Sequence, residues 1–295
     1  MLAPTIARQA AAALRGVEDA APYNHKERGL SLPGMLRPPQ CPAAARGLAA
    51  LLPFFFSFLY NKRKKGANVT MDYTIHPIAT IHTDFADKFG IPRQSGLVPE
   101  LTARIVFEPE YRDPNALVGI EGYDRLWLIW QFSTVAAEYA AGKSWRPTVR
   151  PPRLGGNERR GVFATRSPYR PNALGLSCVE LAGVENGELI VRGADLLDGT
   201  PIFDIKPYLP YVDAHPDARG GFTDTTKEYA LQVVCPDALL CKVPENKRAA
   251  LCGVLKNDPR PAYQHDPERV YTLDFGENKV RFSVDGDVLT VREIL

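Results

Sequence analysis

Three stretches of the chain hold side chains that could do chemistry. The first, Lys143–Arg170, carries Lys143, Arg146, Arg150, Arg153, Arg159, Arg160, Arg166 and Arg170 against one acid, Glu158. A dense arginine field is the electrostatic footprint of a phosphate-rich partner. Pro147, Pro151 and Pro152 stiffen it, so less conformational freedom is lost on binding. A solvated loop whose arginines pair with nearby acids has the same composition, and both readings stand at this point. The second stretch, Arg166–Ser177, holds two prolines and an asparagine between strand-like segments at Gly161–Thr165 and Leu176–Val184. A rigid polar loop between buried strands suits recognition. The third, Asp195–Tyr211, gathers Asp195, Asp198, Asp204, Lys206, Tyr208 and Tyr211 beside apolar residues, an environment that perturbs titration. Its Asp198-Gly199 is equally the signature of a plain turn.

Several chemistries lack their residues. No G-x-G-x-x-G follows a strand, and no G-x-x-x-x-G-K-[ST] occurs, so neither a Rossmann nor a Walker phosphate loop is supported. There is no G-x-S-x-G nucleophile elbow. The five cysteines and five histidines are scattered, without C-x-x-C or zinc-ligand spacing, which predicts no metal site and argues against a hydrolase built on one. An odd cysteine count without a framework predicts reduced thiols and a cytoplasmic protein, with Cys178 a small buried hydrophobe in a strand.

The elements that must position these groups divide the 295 residues unevenly. Residues 1–70 hold ten Lys and Arg against three acids, whereas the remainder is net acidic, 26 basic residues against 31. The first seventy show no sustained apolar period, and their apolar run Ala49–Tyr60 is too short to span a bilayer. They read as a leader, disordered or non-native with Met71 as the start, or else as a targeting or membrane-surface segment. The body reads as a β-rich domain over 71–217 and a small α+β domain over 218–295. Strand-like segments are Tyr73–Thr83, Leu101–Phe107, Leu117–Ile120, a near-continuous apolar run Tyr123–Val135 suited to burial on both faces, Leu176–Val184 and Glu188–Gly193. Asn186-Gly187 predicts a hairpin between the last two. In the tail, Pro244–Lys256 reads as a helix with Ala249, Cys252 and Leu255 on one face. Three alternating strands follow, Arg269–Phe275, Lys279–Val284 and Val288–Ile294.

With these segments in view, the runs Phe89–Val98, Trp145–Asn157, Gly161–Ser177, Asp198–Tyr211 and Asp258–Gln264 resemble the TrmO family of tRNA methyltransferases, in order and from about Ile75 to the C-terminus. The resemblance implies a mainly β fold: a single-sheeted β-barrel methyltransferase domain followed by a small α+β C-terminal domain. It implies S-adenosyl-L-methionine as cofactor, tRNA carrying threonylcarbamoyladenosine as substrate, methylation at N6 beside the anticodon, and a homodimer; no membrane partner is expected. The cofactor positions carry over to Pro92, Arg93 and Gln94, Phe132 and Ser133, Arg166, Leu176, and Gly193, Ala194 and Asp195. Ser133 stands where the family often has His, and Trp130 and Gln131 replace more usual apolar residues. These departures bear on the shape of the pocket, not on the cofactor class.

The implied nucleophile is a nitrogen whose lone pair is delocalised, so the protein must align it and help remove its proton. Asp204 is the expected base, with Tyr208 packing on the modified adenine and Lys206 near the substrate carboxylate. Arg146, Arg150, Arg153, Arg159 and Arg160 are expected to meet tRNA phosphates. The alternative is a tRNA- or nucleotide-binding barrel without catalysis, which needs the arginines and no cofactor pocket.

Overall fold

Alternating apolar and polar side chains become strands throughout the computed structural model, which describes residues 73–151, 158–225, 229–261, 264 and 266–295. The expectations for residues 1–70 and for Arg153 lie outside the described residues.

Six strands close a barrel: β1 (Ala79–His82), β2 (Thr102–Phe107), β3 (Arg125–Gln131), then, beyond a helix and a small arm, β6 (Leu174–Glu185), β7 (Glu188–Arg192) and β8 (Thr200–Pro207). Their order round the wall is β1-β2-β7-β6-β3-β8, with every neighbouring pair antiparallel. Closure removes the free edge strands of an open sheet, leaving unpaired only stretches where one strand outruns its neighbour. Ile81, Ile105, Leu126, Leu128, Val179, Leu189, Val191 and Ile202 point inward and are fully buried. The β6–β7 hairpin turns on Asn186 and Gly187, both with positive φ (53° and 80°), as a two-residue hairpin loop that follows the strand twist requires.

Three expected strands differ. The run Tyr123–Val135 is β3 only as far as Gln131; from Ser133 to Ala140 it is a helix, α1. Nor is β3 buried on both faces. Leu126, Leu128 and Trp130 face the interior, while Trp127, Ile129 and Gln131 are half-buried on the outside, because a barrel wall has only one fully dry face. Leu117–Ile120 spans two short 3-10 turns, Pro114–Leu117 and Ile120–Gly122, broken by Gly119 at φ 84°. The first is started by Pro114 and by the Asp113 carboxylate accepting the Asn115 N–H, contacts more local than any ladder. Gly161–Thr165 likewise becomes a 3-10 turn, Val162–Ala164, after a two-residue strand β5 (Arg160–Gly161) that pairs with β4 (Thr148–Val149) to make the small arm.

Beyond a four-residue helix α2 (Pro210–Asp213), the tail holds β9 (Gln232–Val234), α3 (Asp237–Leu240), α4 (Glu245–Lys256), β10 (Tyr271–Phe275), β11 (Asn278–Asp285) and β12 (Val288–Ile294). Its sheet runs β10-β11-β12-β9, the last pair parallel. The expected helix forms, but Ala250, Leu251, Val254 and Leu255 make its buried stripe; Ala249 is exposed and Cys252 half-buried. The tail core also takes in Phe85, Phe89, Ile91, Val98 and Leu101, from the segment joining β1 to β2. That segment is threaded with the barrel yet packed with the tail.

Candidate active site

The ladder between β6 and β7 ends at Glu180 opposite Arg192, so β6 continues toward its N-terminus without β7 beside it. Gly193 turns the chain there at φ 71°. The loop through Pro92–Gly96 fills the gap. Gly96 donates its N–H to the Gly193 carbonyl (2.8 Å), Gly193 donates to the Leu101 carbonyl (2.9 Å), and Ser95 Oγ accepts the Cys178 N–H (3.1 Å). A Cβ on Gly193 would lie 3.2 Å from the Gly96 backbone, so the close approach requires glycine at that φ.

Behind this gap runs a buried polar chain. Trp130 Nε1 donates to Ser177 Oγ (2.9 Å), and Ser177 Oγ donates to Asp195 Oδ1 (2.5 Å). Ser177 is 1% exposed and Trp130 5%. The indole lies over Gly175, where a Cβ would come within 2.3 Å of the ring. Burial pushes the Asp195 carboxyl up; the Ser177 bond, its own backbone, the Arg166 charge and the Ser95 backbone oppose this only in part. At the outer lip, Arg166 Nη1 donates to Gln94 Oε1 (2.5 Å), whose amide in turn donates to the Arg93 carbonyl. Of the ten expected cofactor residues, this geometry gathers Gln94, Arg166, Gly193 and Asp195, with Arg93, buried Pro92 and buried Ala194 adjoining them.

Phe132, Ser133 and Leu176 sit differently. The Phe132 ring packs at 4.3 Å from that of Trp130, and its N–H reaches the Ala173 carbonyl at 2.9 Å. Ser133 opens α1, with its hydroxyl 3.5 Å from the Gln131 carbonyl. Leu176 is 56% exposed, on the outer face of β6 opposite Ile129.

That outer face also holds the expected catalytic groups. Leu176, Ile129 and Asp204 lie abreast across β6, β3 and β8, and Cys178, Trp127 and Lys206 form the next row. Two strand spacings separate Leu176 from Asp204, about 10 Å between backbones. Asp204 accepts the Ile205 N–H (2.9 Å) and the Lys206 ammonium (3.0 Å). The Tyr208 ring packs 5.8 Å from that of Trp127. Cys178, expected as a buried hydrophobe, is half-buried on this outer face, because its neighbours Ser177 and Val179 take the inward positions. Desolvation still pushes its thiol up. Asp198 accepts the Thr83 N–H and faces His82 Nδ1 at 3.2 Å, so it secures the end of β1. Asp213 holds the Trp127 indole (3.0 Å) and the Leu209 N–H (2.9 Å); the Leu209 backbone first, then Trp127, keep its carboxyl below the usual range.

The arginine field is partly engaged. Arg160 pairs with Glu158 (2.6 Å) and Arg159 donates to Thr148 Oγ1 (2.9 Å), whereas Arg150 is exposed. Arg146 lies over the Tyr169 ring and Arg170 over Phe163, at 5.6 and 5.7 Å. Trp145 and Phe163 stack at 6.1 Å and remain 41% and 70% exposed. Aromatic faces set among arginines are what unpaired nucleobases stack on.

Sequence reasoning passed over Trp145 and Phe163 as contacts, though their interleaving with arginine was readable. It also did not pair Ser177 with Trp130. The only signal for that pair was an indole and a hydroxyl at inward positions of two strands, which need each other as partners.

Comparison with known proteins agrees with this architecture. The model of the tRNA-methyltransferase O N-terminal domain matches residues 80–214, and that of the TrmO C-terminal domain matches residues 228–295. A tRNA (adenine(37)-N6)-methyltransferase of Eikenella corrodens is 42% identical over 59% of this chain and 97% of its own length. The Escherichia coli protein of that name is 36% identical over 72% of this chain and 93% of its own. A crystal structure of TrmO from Pseudomonas aeruginosa superimposes with a TM-score of 0.62 at 30% identity, covering 76% of this chain and all of that one. With both family models matched in order and relatives covered over nearly their whole length, the chain belongs to the tRNA-methyltransferase O family.

Proposed function

We propose that this chain is an S-adenosylmethionine-dependent tRNA methyltransferase acting on N6 of the adenosine next to the anticodon, in its threonylcarbamoyl form. The observation that carries the reading is the end of the β6–β7 ladder, where the Gly96–Gly193 backbone pairing closes on the half-buried Asp195 carboxyl, and Arg166 and Gln94 form the lip. This donor set fits a ligand with hydroxyls, a cationic centre and a carboxylate of its own. When bound, S-adenosylmethionine supplies an electrophilic methyl group on a sulfonium.

The chain's own residues then have separable tasks. Asp195 accepts polar hydrogens of the cofactor while Ser177 holds it in place. The exposed Trp145–Phe163 pair and the arginines seat the RNA through stacking and phosphate contacts. Lys206, paired with Asp204 at 3.0 Å, would turn to the substrate's carboxylate, leaving Asp204 to hold the proton that N6 gives up on methylation. Tyr208, supported on Trp127, orients the base. We further read the enzyme as a cytoplasmic homodimer in which the outer face of β6, β3 and β8 lies near the second copy.

The test is mass spectrometry of tRNA nucleosides with and without the gene, paired with cofactor binding to the chain. Loss of the N6-methylated threonylcarbamoyladenosine on deletion is expected, together with S-adenosylmethionine binding. RNA binding without cofactor affinity would instead identify a non-catalytic tRNA-binding barrel.

A further inference from the structure

The segment joining β1 to β2 supplies Arg93 and Gln94 to the site, yet it is built on the tail. Phe85 meets Phe275 edge-on at 5.9 Å, and Phe89 stacks with Phe282 at 6.5 Å. Gly90 presses on the tail sheet so closely that a Cβ would fall 2.1 Å from Leu273 Cδ1. Lys247 pairs with Asp84 at 2.5 Å, and Gly276 donates to the Asp84 carbonyl at 2.8 Å.

One contact reaches the site itself. Arg93 Nη2 donates to the main-chain carbonyl of Arg260 at 3.2 Å. That carbonyl is held by a clasp with Asp258 and Arg260 buried and Tyr229 half-open to solvent. Arg260, 6% exposed, forks onto Asp258 (Nε to Oδ1 2.9 Å, Nη2 to Oδ2 3.0 Å), and Tyr229 donates its hydroxyl to Asp258 Oδ2 at 2.7 Å. Asp258 sits at φ 52°, a left-handed conformation that Asp and Asn tolerate. Burial pushes its carboxyl up, but the bonds from Arg260 and Tyr229 outweigh this and hold it below the usual range. Apolar residues of similar volume often stabilise a fold as well as a buried ion pair does. What such residues could not do is aim the Arg260 carbonyl at Arg93, whose neighbour Gln94 receives Arg166.

We propose that Tyr229, Asp258 and Arg260 are positioning residues for the cofactor site, acting through Arg93, so that the C-terminal domain sets the affinity for S-adenosylmethionine independently of any hold on RNA. The inference rests on the methyltransferase reading above. The path is continuous: Tyr229 to Asp258 to Arg260 in the tail, then Arg93, Gln94 and Arg166 at the lip.

The test uses the full chain with Asp258→Asn, which keeps the side-chain size and the left-handed backbone but removes the charge. Tyr229→Phe is the milder second variant should the first fold poorly. Cofactor Kd is measured by calorimetry, and KM for cofactor and for tRNA separately, in the wild-type and Arg93→Ala backgrounds. Asp258→Asn should raise cofactor Kd and KM about tenfold, as expected when a charged hydrogen bond is lost. The KM for tRNA and kcat should stay within about twofold, and the cofactor effect should vanish once Arg93 is Ala. Tyr229→Phe should act in the same direction and less. Arg281→Gln, which breaks an exposed pair with Glu293 in the same domain, should change neither constant. An equal factor in both Arg93 backgrounds, a tRNA KM rising in step, or a cofactor Kd indifferent to Asp258 would each overturn the proposal. If the wild-type chain binds no S-adenosylmethionine, the methyltransferase reading falls and takes this one with it.

Discussion

Replacing Ser177 with Ala perturbs two groups through one oxygen. The hydroxyl accepts the Trp130 indole N–H and donates to Asp195, and both Ser177 and Trp130 are buried. Without it the indole N–H has no partner inside the barrel, and a void the size of one hydroxyl is too small for water to replace it. An orphaned buried donor costs about 1–3 kcal/mol. For a body of this size each kcal/mol is worth roughly 2–4 °C, so the Tm should fall by about 2–12 °C. The second effect is on titration. Burial already raises the Asp195 carboxyl, and Ser177 heads the contacts that oppose it, so the variant raises it further. A carboxyl with a raised folded pKa costs stability as pH climbs from the unfolded value through the folded one; the variant extends that loss to higher pH. If ionised Asp195 receives the cofactor, the acid limb of S-adenosylmethionine affinity against pH also moves up. Thermal melts and calorimetry across pH 5 to about 9 read both effects. The double variant Ser177→Ala with Trp130→Phe removes donor and acceptor together, so it should recover stability while leaving the acid limb shifted. An unchanged Tm, or a limb that stays or moves to lower pH, would refute the reasoning.

Other outcomes follow from the same geometry. Gly175→Ala forces a methyl against the Trp130 ring and should cost about 1–3 kcal/mol, relieved when Trp130 is made Leu; thermal melts of the single and double variants decide it. Changing Arg159 and Arg160 to Gln should shallow the log–log salt dependence of tRNA binding by roughly 0.7–0.9 per lost phosphate contact. Phe163→Ala should instead weaken binding by about 1–3 kcal/mol at an unchanged slope, since stacking releases no counterions. Asp204→Asn should abolish methyl transfer at saturating cofactor while tRNA affinity holds; full activity would remove it as the base.

Much of the fold was legible because its signals are local. The Asn186-Gly187 hairpin, the helix Glu245–Lys256 and the tail strands follow from turn chemistry and periodicity over a few residues. The failures share a cause. Pro114 with the Asp113 carboxylate made a turn of an apolar tetrad, and the end of the β3 pairing with β6 at Gln131 let the following residues coil into α1. Both outcomes depend on where a ladder stops, and the partner strand decides that. The expected cofactor positions came from the family resemblance, and their division between the loop junction at Gly193 and the outer face at Leu176 was not readable.

The residues alone therefore determined what kinds of group this protein has and in which local elements: a stiff arginine loop, a polar Pro-rich loop, three aspartates near a strand, and a β-rich body with an α+β tail. Its motifs were enough to resemble one family. Only the tertiary structure decided which groups meet. Closing six strands turned Trp130 inward onto Ser177 and Ser177 onto Asp195, and turned Asp204, Lys206 and Leu176 outward. Packing the β1–β2 segment on the tail brought Arg260, 167 residues along the chain, to Arg93. Periodicity says which face a side chain takes, but the register between strands and the docking of distant segments depend on burial summed over the whole core.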